Sequence, residues 1–103
     1  MPPARRDFAA YGRGSLIVPP ARVNTPECIS IGSDVLIHEH VWLEVQRTPQ
    51  AATPSLVIGD NSIFNRFVKI VCLRSVRLGE RTLIADRVYI SDVEYFSGSP
   101  GGD

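Results

Sequence analysis

The chain has 103 residues, enough for one small domain, and its eleven basic and eleven acidic side chains give no net charge. All the basic residues except Lys69 are arginines scattered singly or in one pair, which argues against a nucleic-acid partner. No apolar run approaches the roughly 18 residues of a membrane span, and the N-terminus lacks a signal peptide's apolar core. We therefore expect a cytoplasmic protein in which Cys28 and Cys72 are reduced thiols.

A repeat begins after residues 1–10, which we expect to form a short cap or tail. Each repeat opens with a bulky apolar residue followed by glycine, with a small or β-branched residue four positions after the opener. The four segments are YGRGSLI from Tyr11, IGSDVLI from Ile31, IGDNSIF from Ile58 and LGERTLI from Leu78. One step of six from each opener reaches Ile17, Ile37, Phe64 and Ile84, and a second step reaches Val23, Leu43, Ile70 and Ile90. Each repeat therefore consists of three hexads.

The spacing of the repeats predicts one long loop. Tyr11 and Ile31 are 20 residues apart, whereas Ile31 and Ile58 are 27 apart. The additional residues fall in the polar stretch VQRTPQAATPS, which contains Pro49 and Pro54. This composition predicts a loop that protrudes at residues 45–55.

A hexad fits a short strand followed by a corner, because alternate side chains of a strand face the same way. Three such units close a triangular coil, and successive coils stack in parallel about 4.8 Å apart. The pattern thus predicts an all-β, single-domain parallel β-helix of about four coils over residues 11–96. An antiparallel sandwich of short strands explains the apolar content but not the step of six. No window has the apolar spacing of a helix.

Three further side chains invite a functional interpretation. On a strand, His38 and His40 would point to the same side, which is how some zinc sites begin, but no third ligand is near in sequence. We expect His38 to lie at a corner that faces solvent, and we expect no metal site. Trp42 points outward by its phase, which indicates either an interface or packing of the long loop against it.

The segments IGDNSIFNRFVKIV and VRLGERTLIADRVYISD carry a resemblance to a known family. Over residues 11–96 the chain resembles the hexapeptide-repeat acyltransferases, in particular the galactoside, maltose and xenobiotic O-acetyltransferases. The resemblance implies a left-handed coil and a homotrimer with active sites between neighbouring subunits. It also implies acetyl-CoA or another acyl-CoA as co-substrate, no metal, and a sugar or other small molecule as acceptor.

The resemblance also implies where the reaction would take place. In the family a histidine takes the proton from the acceptor and lies just after a strand that ends in IS or SD. The corresponding run here is ISDVEYFSG. Asp92 is retained, whereas Val93 and Tyr95 occupy the histidine positions, and a tyrosine with its ordinary pKa of about 10 is a poor base at neutral pH. By their positions in this run, Asp92 and Tyr95 are the catalytic residues that the resemblance predicts. Asn65 either lines the acceptor site or satisfies backbone groups at a corner.

Two functions follow from these residues. The first is transfer of an acetyl or other acyl group from coenzyme A to a hydroxyl or amine of a sugar or other small acceptor. The alternative is a truncated, non-catalytic relative, either a pseudo-enzyme or an oligomerising β-helix segment, because the catalytic histidine and the family's later coils are missing. Residues 97–103 have the composition of a flexible tail.

Overall fold

Residues 4–92, the part of the chain that the computed structural model describes, form three parallel β-sheets of four strands each. The first sheet contains Ala10–Tyr11 (β1), Ile29–Ile31 (β4), Ser55–Ile58 (β7) and Ser75–Leu78 (β10). The second contains Leu16–Ile17 (β2), Leu36–Ile37 (β5), Ile63–Phe64 (β8) and Leu83–Ile84 (β11). The third contains Arg22–Asn24 (β3), Trp42–Val45 (β6), Lys69–Cys72 (β9) and Tyr89–Ser91 (β12). Each turn of the chain contributes one strand to every sheet, so the fold is a parallel β-helix of four coils.

The strand register confirms the predicted step of six. Within the second sheet, Ile17 pairs with Ile37, Ile37 with Phe64, and Phe64 with Ile84. The two other sets of predicted residues also pair in chain order: Tyr11, Ile31, Ile58 and Leu78 in the first sheet, and Val23, Leu43, Ile70 and Ile90 in the third. The three-sided arrangement is compatible with the left-handed class of β-helix.

The core consists mainly of the inward side chains of the two middle coils, joined by Phe8 before the first coil and by Val76 and Ile84 of the fourth. Phe64, Ile37, Leu43 and Ile70 are completely inaccessible to solvent. Tyr11 at one end and Ile90 at the other are only partly buried. This gradient is expected of stacked coils, because each coil buries the inward side chains of its neighbours.

The first corner, between the first and second sheets, comprises residues 12–15, 32–35, 59–62 and 79–82. A Cβ atom on Gly59 would lie 2.6 Å from the backbone of the next coil, which explains the glycine in the repeat. The small residue two positions before the inward one also has a task. Ser62 is buried, donates to the Gly79 carbonyl oxygen at 3.2 Å and accepts from the Thr82 N–H at 3.1 Å. Its hydroxyl therefore links two coils at this corner.

The ends and connections of the coils contain little regular structure. A 3₁₀ helix, Arg5–Asp7, precedes Phe8. Phe8 is buried against the core, and the centroid of its ring lies 5.3 Å from that of Tyr11. A second 3₁₀ helix, Pro26–Cys28, leads into β4. Residues 46–54 connect β6 to β7, the place of the predicted loop, while the predicted tail at 97–103 lies outside the described residues.

The fold bears on two features considered in the sequence, the state of the cysteines and the presence of a membrane-spanning segment. Neither Cys28 nor Cys72 is in a disulfide, and Cys72 is buried. Within residues 4–92, no helix has the length and apolar character needed to cross a membrane.

Candidate functional site

The second corner, between the second and third sheets, carries both histidines of the chain together with aromatic and charged side chains. It comprises residues 18–21, 38–41, 65–68 and 85–88. His40, Phe67 and Arg87 occupy the same position in three successive coils, and all have left-handed backbone conformations with φ of 65°, 63° and 61°. Non-glycine residues rarely adopt this conformation, and a bulky one there is unusual. The equivalent positions of the first corner hold Gly14, Asp34, Asn61 and Arg81, so small residues occupy three of those four positions.

His38 and Asn65 are neighbours in this corner. His38 follows Ile37, Asn65 follows Phe64, and the His38 N–H donates to the Phe64 carbonyl oxygen at 3.0 Å. The Asn65 side chain is half-buried and makes no hydrogen bond within residues 4–92. It therefore does not satisfy corner backbone groups, which was one of the two predicted roles. Its amide is free to bind a ligand.

His38 lies beside the carboxylate of Glu39, which in turn pairs with Arg66. Its Nδ1 lies 3.8 Å from a carboxylate oxygen of Glu39, whose other oxygen lies 3.2 Å from Arg66 Nε. A hydrogen bond from its own backbone N–H and then the Arg66 guanidinium hold the pKa of Glu39 below its ordinary value. Glu39 is thus an anion at neutral pH beside His38. Histidine is the side chain that most often serves as a general base in proteins.

Two columns of aromatic and cationic side chains flank the same corner. In the third sheet, Trp42 has the Arg22 guanidinium 4.6 Å from its ring on the strand before and the Lys69 ammonium 3.9 Å away on the strand after. At the corner itself, the His40 and Phe67 rings stack 4.9 Å apart with an angle of 2° between their planes. The prediction that Trp42 points outward is confirmed, and it packs against these two cations.

Asp92 lies at the third corner, between the third and first sheets, and its carboxylate holds a turn. One oxygen accepts from the Leu73 N–H at 2.7 Å, and the other accepts from the Arg74 and Ser75 N–H groups, both at 2.9 Å. Partial burial works to raise the pKa of Asp92, but the three N–H donors outweigh it, and the pKa lies below its ordinary value. Asp92 also borders an open cavity of about 470 Å³ that includes Thr48 of the long connection.

Within one copy of the chain, Asn65 and Asp92 are not neighbours. Asn65 precedes β9 and Asp92 follows β12, so the two lie at opposite ends of the third sheet. Tyr95 lies outside the described residues. The catalytic assignment of Asp92 and Tyr95 stays a prediction. Among the described residues no group of three His, Cys, Asp or Glu side chains could hold a metal ion.

Sequence reasoning missed the two aromatic and cationic columns. The signal for the column in the third sheet was present in the sequence. One position before each inward residue of the third hexad stand Arg22, Trp42, Lys69 and Tyr89.

Comparison with models of known protein families, with curated proteins and with solved structures finds no match.

Proposed function

We propose that this chain is a relative of the hexapeptide-repeat acyltransferases and that it transfers an acetyl or other acyl group from coenzyme A to a sugar or other small acceptor in the cytoplasm. The observation that supports the reaction is the placement of His38 next to Asn65 in one corner, with the Glu39 carboxylate beside the imidazole. In this proposal His38 serves as the base, because the predicted histidine positions hold Val93 and Tyr95.

The proposed reaction is a single displacement. The His38 imidazole takes the proton of the acceptor hydroxyl or amine, whose oxygen or nitrogen attacks the thioester carbonyl. The carbon–sulfur bond breaks, and the coenzyme A thiolate leaves and takes up a proton. Asn65 would hold the acceptor through its free amide.

A second candidate is a non-catalytic relative, and the geometry of Asp92 favours it. Both oxygens of this carboxylate accept backbone hydrogen bonds, so the retained family residue has a structural task. A protein of this kind would keep the coil without turning over acyl-CoA.

Titration calorimetry with acetyl-CoA and an assay of thiol release with a panel of sugars separate the two candidates. Acyl transfer predicts micromolar binding and turnover that His38→Gln abolishes, while His40→Gln, also in the corner but one position past Glu39, retains it. Turnover that persists in His38→Gln would contradict the proposed base. Absence of both binding and turnover would favour the non-catalytic relative.

We also propose that the protein forms a homotrimer. The outward positions of the second sheet form one apolar column across all four coils, made of Leu16, Leu36, Ile63 and Leu83. Leu83 is 70% exposed and Leu16 53% exposed, which is unusual for stacked leucines on a soluble surface. In a trimer, a neighbouring copy would cover this column.

Sedimentation of the wild type and of Ile63→Glu tests the association. We expect a trimer for the wild type and a monomer for the variant, with Arg77→Glu on the first sheet as a control that stays trimeric. A monomeric wild type at micromolar concentration would contradict the proposal.

A further inference from the structure

A groove runs beside the second corner, between the two aromatic and cationic columns. It has a volume of about 390 Å³ and is lined by Pro20, Ala21, Arg22, His40, Val41, Trp42 and Phe67. The floor of the groove is formed by two small side chains at equivalent positions of successive coils, Ala21 and the buried Val41. We call this feature the corner groove.

The rings beside the corner groove have their faces covered. Arg22 and Lys69 lie over the Trp42 ring, and His40 and Arg87 lie over the Phe67 ring. Phe67 is nevertheless 47% exposed, so it presents mainly its edge to solvent. The edge of an aromatic ring is the positive part of its quadrupole, which attracts anions.

The charges beside the corner groove have the same sign. Arg22, Lys69 and Arg87 make no ion pair with a carboxylate in the described part of the chain. Two nearby carboxylates are engaged with one residue, because Glu39 pairs with the Arg66 side chain and Asp86 accepts from the Arg66 N–H at 3.1 Å.

Glu44 is the remaining carboxylate near the corner groove, on the outward side of the same strand as Trp42, where it accepts from Gln46. Trp42 Nε1 is the buried side-chain donor that lacks a hydrogen-bond partner within residues 4–92. That donor is itself buried, so the unpaired cations are the feature of this surface that favours an anionic ligand with oxygen acceptors.

We propose that the corner groove binds an acidic polysaccharide that lies along the coil axis, with its carboxylates at Arg22, Lys69 and Arg87. These cations come from the first, third and fourth coils, which spreads them over three coil spacings, or roughly 14 Å. One small anion can reach a single one of them, whereas a chain with a charge on each sugar can reach all three.

Two other kinds of polymer fit the corner groove less well. Single-stranded nucleic acid binds by stacking its bases on open ring faces, and the faces of Trp42 and Phe67 are covered. An extended peptide gains affinity by pairing with a sheet edge. The strands beside the corner groove, β6 and β9, are central strands that are paired on both sides.

The proposed binding of an acidic polysaccharide does not depend on acyl transfer, so each proposal can fail without the other.

Titration calorimetry of the full chain with a short oligogalacturonate tests the proposal. The double variant Arg22→Gln/Lys69→Gln should bind roughly five- to tenfold more weakly, because exposed ion pairs each contribute a few-fold. The double variant Arg13→Gln/Arg77→Gln, which removes the same charge from exposed positions elsewhere, should bind like the wild type. Added salt should weaken binding by the wild type.

Each other outcome would overturn the proposal. These outcomes are no binding by the wild type, an equal loss in the control double variant, and equal or tighter binding of a neutral malto-oligosaccharide, oligo-dT or polyglutamate. Phe67→Asn supplies an independent arm, since asparagine tolerates the left-handed conformation and removes the ring. Unchanged oligogalacturonate affinity in a folded Phe67→Asn protein would exclude the corner groove as the binding site.

Discussion

Replacement of Asp92 by asparagine tests whether this carboxylate is a structural cap. Hydrogen bonds to a charged group contribute about 1.5–3 kcal/mol each when buried, but the Arg74 and Ser75 N–H groups belong to exposed residues that water can reach. The Leu73 N–H, at 2.7 Å and half-buried, is the contact most costly to weaken. The asparagine carbonyl keeps one acceptor. We therefore expect Asp92→Asn to lower the free energy of unfolding by about 1–2 kcal/mol.

Urea denaturation followed by circular dichroism measures this loss, and Asp86→Asn is the matched control. Asp86 is exposed and accepts from one backbone N–H at 3.1 Å, so its replacement should cost less than about 0.5 kcal/mol. Equal losses in the two variants, or no loss in Asp92→Asn, would refute the assignment of Asp92 as a cap.

The pH dependence of the free energy of unfolding, compared between the wild type and Asp92→Asn, provides a second test. Because the folded pKa of Asp92 lies below its ordinary value of 3.8, the carboxylate stabilises the fold fully above that value. This contribution is lost as the pH falls through the folded pKa, when both states become protonated. The stability gap between wild type and Asp92→Asn should therefore be full at neutral pH and narrow below about pH 4. A gap that stays constant into acid would contradict the mechanism.

Three further tests concern the core, the first corner and the two cysteines. Phe64→Ala should cost about 3–5 kcal/mol in urea denaturation, because the ring is fully buried between two coils. Gly59→Ala should cost about 1–3 kcal/mol because its Cβ would meet backbone at 2.6 Å, whereas Gly79→Ala, with nothing within 4 Å, should be neutral or slightly stabilising. Burial raises the pKa of the Cys72 thiol, so iodoacetamide should label half-exposed Cys28 faster in the native protein, as mass spectrometry would detect.

The fold could be predicted from the sequence because its cause is repetitive. Each inward side chain must fit between those of the coils on either side, so Ile37, Phe64 and Ile84 recur at fixed phase whatever lies between them. The insertion at residues 46–54 changes the interval from 20 to 27 without changing the register, since it leaves and rejoins the coil at one corner.

The candidate site could be predicted less well because it depends on contacts between coils. Sequence reasoning took Asn65 and Asp92 from a family pattern, and that pattern does not specify that they lie at opposite ends of the third sheet within one copy of the chain. The neighbour of Asn65 is His38, which is 27 residues earlier and becomes adjacent only through the inserted interval. The engagement of Asp92 with three backbone N–H groups depends on turn geometry that the residue types do not specify.

The second corner gives the clearest case in which stability and binding should separate. A left-handed conformation costs a non-glycine residue roughly 1–2 kcal/mol, and Phe67 adopts it with φ of 63°. Phe67→Asn relieves part of that cost but removes the stack on His40 and the contact with Arg87, each worth about 1 kcal/mol. The two effects nearly cancel, so the free energy of unfolding should change by less than about 1 kcal/mol.

The same replacement removes the ring that borders the corner groove, so oligogalacturonate affinity should fall while the protein stays folded. Urea denaturation and calorimetry on one preparation measure both quantities. A loss of several kcal/mol in stability would mean that the stacked rings hold the coils together, and the large side chains at this corner would then need no ligand to explain them.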